Sequence, residues 1–375
     1  MTSLYIHIPF CLRKCHYCSF SSYVTSFEIK NSYLLALRRE LKTLSAARDS
    51  EPLSTLFFGG GTPTCVEMDG LTSLVGYCKE LFAFEDDAEI SVEANPGTVD
   101  EYYLEQLQQS GVNRLSLGVQ SFIDAELSKI GRLHDKNEAV EAYAAAKKVG
   151  FTNINIDLMY GLPGQTVASW SESLDQAYHL HPQHLSLYQM IVEEGTHFGS
   201  LDAEGKLTLP DEDEIIKMDG LTESRCRNEH YIQYETSNFA LYPYQCRHNI
   251  NYWDNLDYLA VGAAAVSYVA GVREKRLTDP TLYIDAIMRG DSAVSERECL
   301  DSGASFRETV IMGLRMKKGV SLLNLQSRYG LTPLQHYGTT LNRLLETGMM
   351  ELSESYLYIS KKGWPLSNQI MAELV

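Results

Sequence analysis

Three cysteines fall within eight residues, in the run Cys11-Leu-Arg-Lys-Cys15-His-Tyr-Cys18. On one short loop, three thiolates can hold three irons of a cubane iron–sulfur cluster. The fourth iron is then open to a substrate or cofactor. Zinc is the rival metal, and it would take a fourth ligand such as His16 or His7. Three buried core thiols are the plain alternative. The other five cysteines (Cys65, Cys78, Cys226, Cys246 and Cys299) are scattered. Scattered cysteines read as core thiols in a reducing compartment.

Further polar and glycine residues recur at regular intervals. They are Gly59-Gly60-Gly61-Thr62, then Glu93, Gln120, Arg132 and Asp157. Each alone reads as a tight turn, a cap or a solvated charge. Their shared feature is position, because each lies at or after the end of a short β-rich run. Such runs lie at 4–8, 55–58, 89–92, 114–117, 153–158 and 184–187. Helical patterns at 29–47, 71–81, 101–109, 139–149, 169–180 and 212–228 separate or follow them. Strand–helix alternation predicts an α/β fold with a parallel sheet of right-handed units. Six units predict a partial, open (βα)6 barrel, and a doubly wound open sheet is the alternative. In a barrel, the C-terminal ends of the strands carry the chemistry.

The chain of 375 residues carries 32 basic and 49 acidic residues, a net charge of −17. No basic stripe is present, which argues against nucleic acid and anionic membrane surfaces as partners. No signal-like segment begins the sequence. The longest weakly charged stretch, 258–272, is too short to span a bilayer. A cytoplasmic location is therefore expected.

The organisation divides into three parts: 1–235 as the barrel, 236–300 as a connecting region, and 301–375 as a smaller C-terminal α+β domain. In the last part, helical patterns at 306–316, 322–329 and 334–346 precede a hairpin at 349–352 and 356–359 and a final helix at 364–374. That order predicts a winged-helix-like module, with a plain helical cap as the alternative.

The run Tyr5-Ile-His-Ile-Pro-Phe-Cys11, the cysteine spacing and the aromatic Tyr17 together resemble the radical S-adenosylmethionine (SAM) superfamily. More narrowly, the chain resembles the branch holding oxygen-independent coproporphyrinogen III dehydrogenase and its heme-chaperone relatives. The resemblance implies a 4Fe–4S cluster on Cys11, Cys15 and Cys18. It also implies a SAM pocket lined by Tyr5, Tyr17, Gly60, Gly61, Thr62, Glu93, Gln120, Arg132 and Asp157. Carboxylates there can accept from ribose hydroxyls or an ammonium, and a guanidinium can pair with a carboxylate.

Within that branch, the dehydrogenase carries a fourth cysteine two positions after the third, where this chain has Phe20. Its long N-terminal extension is also missing, since ten residues precede Cys11. The segment His248-Asn-Ile-Asn-Tyr252-Trp253 looks like the hallmark of the heme chaperones, with His248 as candidate ligand to heme iron. Its structural alternative is a core histidine among packed aromatics. The resemblance thus implies a heme chaperone that passes heme to an acceptor protein of the respiratory kind, with a homodimer also suggested. Oxidative decarboxylation of coproporphyrinogen III is the rival function.

Overall fold

The computed structural model describes residues 2–47 and 51–375. Six strands form its centre: β1 (Thr2–Ile8), β2 (Leu53–Gly60), β3 (Phe84–Ala94), β4 (Arg114–Gln120), β5 (Ile154–Tyr160) and β6 (His184–Gln189). They lie side by side in sequence order, every neighbouring pair parallel. Every residue of β4 is buried, and β2 is buried except at its last residue. That is the burial expected of parallel strands covered on both faces.

Six further strands extend this sheet: β7 (Ile232–Gln233), β8 (Asn238–Ala240), β9 (Tyr258–Val261), β10 (Val266–Val269), β11 (Val272–Arg276) and β12 (Val294–Cys299). The full order is β12-β11-β10-β9-β1-β2-β3-β4-β5-β6-β8-β7. Its two edges, β12 and β7, are not paired with each other, so the barrel is open. The region 236–300, expected as a connection between domains, is therefore mostly built into the main sheet. β9 runs parallel to β1, and β10 to β12 continue from it antiparallel.

The helices Phe27–Ala46, Met68–Leu81, Glu101–Ser110, Lys136–Lys148, Val167–Leu180 and Glu212–Asn228 fall within a few residues of their expected bounds. Several have clear start signals. Asp135 and Thr166 cap their helices with reciprocal side-chain bonds to the third helical residue. Buried positions on these helices pack on one core that includes Leu37, Leu74, Leu107 and Trp170.

The C-terminal module has its own core around Phe306, Leu325, Leu341 and Leu357. A helix (Ser302–Leu314) leads to strand β13 (Val320–Ser321), then further helices, then strands β14 (Met350–Leu352) and β15 (Tyr356–Ile359). The sheet order is β13-β15-β14. This helix–strand–helix–helix–hairpin order is that of a winged helix. One expected helix, 334–346, is interrupted at Gly338, where φ is 50° and ψ is −117°. An L side chain is strained there, so glycine splits it into Pro333–Tyr337 and Thr339–Glu346. No helix among the described residues is long and apolar enough to cross a membrane.

Candidate cluster and cofactor site

The loop after β1 carries the three cysteines, and the chain straps it on several sides. Cys11 N–H donates to Tyr23 O at 3.0 Å, and Tyr23 N–H to Pro9 O at 2.7 Å. His16 is bonded through its backbone to Ile130 O at 3.0 Å and to Phe198 N at 2.9 Å. Gly61 N–H and Thr62 N–H donate to Ile8 O and Phe10 O at 2.9 and 2.8 Å, tying the β2 turn to the same loop. A Cβ on Gly61 would stand 2.6 Å from Phe10 O and 3.0 Å from Cys11 Sγ, so only glycine lets these two segments approach. Gly61→Ala is expected to push the cysteine loop off the β2 turn. Cofactor affinity should fall on the order of tenfold or more, while the main core is unaffected. Isothermal titration of the reconstituted variant checks this, and unchanged affinity contradicts it.

A cavity of about 480 Å³ opens at the C-terminal ends of the central strands. Its volume falls in the usual range of small-molecule sites. Cys11, Cys15, Cys18, Tyr17, Gly60, Gly61, Thr62, Glu93, Gln120, Arg132 and Asp157 all line it. Tyr5 does not. Its hydroxyl pairs with His7 Nδ1 at 2.9 Å, and its ring lies against Gly59 and stacks on Phe57 with centroids 6.2 Å apart. Tyr5 therefore backs the wall, contrary to its expected place in the lining.

Three charged groups of the lining, Glu93, Arg132 and Asp157, are half-buried. Glu93 accepts from Gly60 N–H at 3.2 Å. Burial, and then the nearby Asp157 charge, push its carboxyl up to about 8. Burial also raises Asp157. Arg132 donates to Asn95 Oδ1 at 2.6 Å and to Gly118 O, and stands 3.6 Å from Cys15 Sγ. Its buried Nε has no partner. An orphan guanidinium N–H beside a cavity suits a ligand carboxylate. The Cys11 and Cys18 thiols are raised by burial, so they hold their protons until metal displaces them.

The donor set suits a cubane better than a single zinc ion. Among the described residues, no three His, Cys, Asp or Glu side chains converge as around one ion. In a cubane each thiolate takes a different iron, so the sulfurs stand apart. His7 is buried with both ring nitrogens engaged, Nδ1 with Tyr5 Oη at 2.9 Å and Nε2 with Ser21 O at 3.4 Å, so it does not complete a zinc set.

The sequence reading missed Asn95, Ser116, Met159, Ser186, Tyr188 and Met190, which also line the cavity. Strand alternation carries the signal for several of them. Ser116 lies on the same face of β4 as Gly118 and Gln120, Met159 on that of Asp157, and Tyr188 on that of Ser186.

His248 lies elsewhere. The helix Arg247–Trp253 packs behind the cavity, and its His248 side chain is only 1% exposed. Nδ1 pairs with Thr55 Oγ1 at 2.7 Å, and Nε2 with Tyr252 Oη at 2.9 Å. The ring stacks on Phe57 with centroids 5.0 Å apart. Burial, then the Arg114 charge, lower its pKa to about 3. The expected heme ligand is therefore a neutral core imidazole with no free nitrogen in this conformation. Trp253 and Ile250 of the same helix pack against a small cluster of Tyr234, Ala240 and Met316, the last from the C-terminal module.

The radical SAM superfamily profile matches residues 5–177, and the HemN C-terminal domain profile matches residues 304–366. The chain is 36% identical over 371 residues to the heme chaperone HemW of Bacillus subtilis (strain 168), covering 99% of this chain and 98% of that protein. The chain belongs to the HemW family of the radical SAM superfamily. The HemW of Escherichia coli (strain K12) is 38% identical over 298 residues, covering 79% of this chain and 78% of that protein. Among solved structures, the coproporphyrinogen III oxidase HemN of Escherichia coli superposes with a TM-score of 0.87 at 25% identity, covering 100% of this chain and 89% of that one. Membership of the HemW family brings a 4Fe–4S cluster and SAM with it, and the thiols and polar lining described above suit both groups.

Proposed function

We propose that this chain is a heme chaperone, which binds heme on a cluster- and SAM-bearing scaffold and passes it to an acceptor protein. The near-full-length match to the heme chaperone HemW of Bacillus subtilis carries this reading. Cys11, Cys15 and Cys18 would hold the cluster, which would supply the redox chemistry and a binding partner for SAM. Arg132 takes a carboxylate through its unpartnered Nε. Glu93 and Asp157 accept from an ammonium or from ribose hydroxyls. Gly60, Gly61 and Thr62 present backbone to the ligand, Gln120 adds an amide, and Tyr17 closes the wall beside the cysteines. Tyr5 supports the wall at Gly59. His248 ligates heme once the helix Arg247–Trp253 moves from its seat, which frees a ring nitrogen. The acceptor is a respiratory heme protein, the chain acts in the cytoplasm, and it forms a homodimer. The resemblance alone supports these last three assignments.

The experiment is a heme titration of the cluster-reconstituted protein, followed at the Soret band. Saturable binding, with a spectrum altered in His248→Ala, is the expected result. Absence of saturable binding defeats the reading. The fold match to the oxidase HemN favours one rival, the decarboxylation of coproporphyrinogen III. An anaerobic assay with SAM, reductant and coproporphyrinogen III decides between them. The chaperone reading predicts no decarboxylated product, and product at catalytic turnover establishes the rival.

Glu93 makes SAM binding depend on pH. In the empty cavity its carboxyl, pushed up to about 8, is protonated at neutral pH. A cationic ammonium selects the carboxylate, so binding expels the proton below pH 8. Affinity is expected to rise with pH towards about 8, by at most about tenfold per pH unit, and to fall again above it as the ligand's own α-ammonium, near 8, loses its charge. Titration calorimetry at pH 7 in two buffers of different ionisation enthalpy should show release of close to one proton. Zero release contradicts the assignment.

A further inference from the structure

Behind the cavity, hydrogen bonds run unbroken from its floor to the helix that carries His248. At the cavity end, Asn155 Nδ2 donates to Asp157 Oδ1 at 2.6 Å. Asn155 Oδ1 can only accept, so His184, which meets it at 2.6 Å, presents Nδ1–H. The lone pair left on His184 Nε2 takes the Tyr234 hydroxyl proton at 2.8 Å. The Tyr234 oxygen in turn accepts the backbone N–H of Cys246 at 3.2 Å. Cys246 is the residue from which the helix Arg247–Trp253 starts. Each bond fixes the donor and acceptor of the next, and Asn155, His184 and Tyr234 are all buried. A chain of this kind polarises as a unit, and loss of any member leaves buried groups unpaired.

A second link runs beside it through charge. The buried Arg114 guanidinium lies in the field of both Asp157 and Glu89, and its Nε has no partner. Glu89 holds the first turn of the same helix, accepting from Arg247 N–H at 3.0 Å and from His248 N–H at 3.2 Å. Arg114 forms no ion pair within 4 Å of either carboxylate among the described residues, so this link is one of field and not of contact.

We infer that Asn155, His184 and Tyr234 are positioning residues that couple occupancy of the cavity at Asp157 to the seating of the helix carrying His248. The inference rests on the proposed function for its purpose, and on the hydrogen-bond chain for its physics. A ribose hydroxyl donating to Asp157 competes with the Asn155 amide for the same carboxylate. Any shift of Asn155 passes to His184, to Tyr234 and to the Cys246 N–H. The coupling is reciprocal, so release of the helix by heme must alter SAM affinity by the same factor.

The test is amide hydrogen exchange across 246–253 in the cluster-reconstituted full chain, with and without SAM. SAM is expected to change exchange there several-fold. In Tyr234→Phe that response should be lost, while the SAM dissociation constant stays within about twofold of wild type. A purely structural Tyr234 would speed exchange equally with and without SAM, and the response itself would survive. The inference is overturned if SAM binds and leaves exchange at 246–253 unchanged in the wild-type protein, or if Tyr234→Phe responds as wild type does. Should Tyr234→Phe fail to fold, the wild-type comparison still decides. The readout needs no heme, so a failure of the heme reading is distinguishable from a failure of the coupling.

Discussion

Cys15→Ala protein is expected to leave anaerobic reconstitution with no iron–sulfur cluster, its iron content falling from roughly four per chain to near zero. Cys15 shares the cavity wall with Cys11 and Cys18 and faces Arg132 Nη1 at 3.6 Å. Two remaining thiolates hold only two irons of a cubane. Cys299→Ala is the control, because that thiol is exposed on the edge strand β12, outside the lining. It should keep its full iron and the broad visible absorption of the cluster. Retention of iron in Cys15→Ala, or its loss in Cys299→Ala, would contradict the assignment of the cluster to this loop.

The second large effect concerns His248. At pH 7, His248→Ala should cost about 3 kcal/mol of stability. It opens a cavity beside Phe57 and strips Thr55 and Tyr252 of a buried partner. The penalty should shrink in acid. His248 is neutral in the fold, with its pKa lowered to about 3, whereas in the unfolded chain it titrates near its ordinary value of 6.5. Below 6.5 the unfolded state therefore binds a proton that the folded state refuses. The contribution of His248 is complete above pH 6.5 and is lost by about 1.4 kcal/mol per pH unit as pH falls towards 3. Urea unfolding of wild type and variant at pH 7.0 and 4.5 measures the difference. The gap should narrow by roughly 2–3 kcal/mol at the lower pH. A gap that stays constant would show a histidine protonated or exposed in the fold.

Local pattern made the central architecture legible. The strands β1 to β6 and the helices between them carry period-specific apolar runs, with Gly, Asp or Thr at their ends. The polar residues found by their place after each strand, from Thr62 to Asp157, converge on one cavity because parallel strands all deliver their C-terminal ends to the same rim. The strands β9 to β12 were not legible. They are short, the stretch around 258–272 is diluted by Gly and Ala, and the partner of β9 is β1, at the other end of the chain. The environment of His248 was hidden for the same reason. Its ring partner Thr55 lies 193 residues away, and nothing local in His248-Asn-Ile-Asn-Tyr-Trp reveals that the imidazole faces inward. Tyr5 was placed in the cavity by resemblance alone. Alternation along β1 gives its face, but not which layer of the wall it occupies.

The most direct test of the heme-chaperone account is heme transfer. The cluster-reconstituted protein is loaded with one equivalent of heme and mixed with an apo-hemoprotein, and the shift of the Soret band from donor to acceptor spectrum is followed. The account predicts a stable heme complex that gives up its heme to the acceptor. A cluster-loaded, SAM-competent protein that binds no heme, or that holds heme without releasing it to any apo-acceptor, would contradict it.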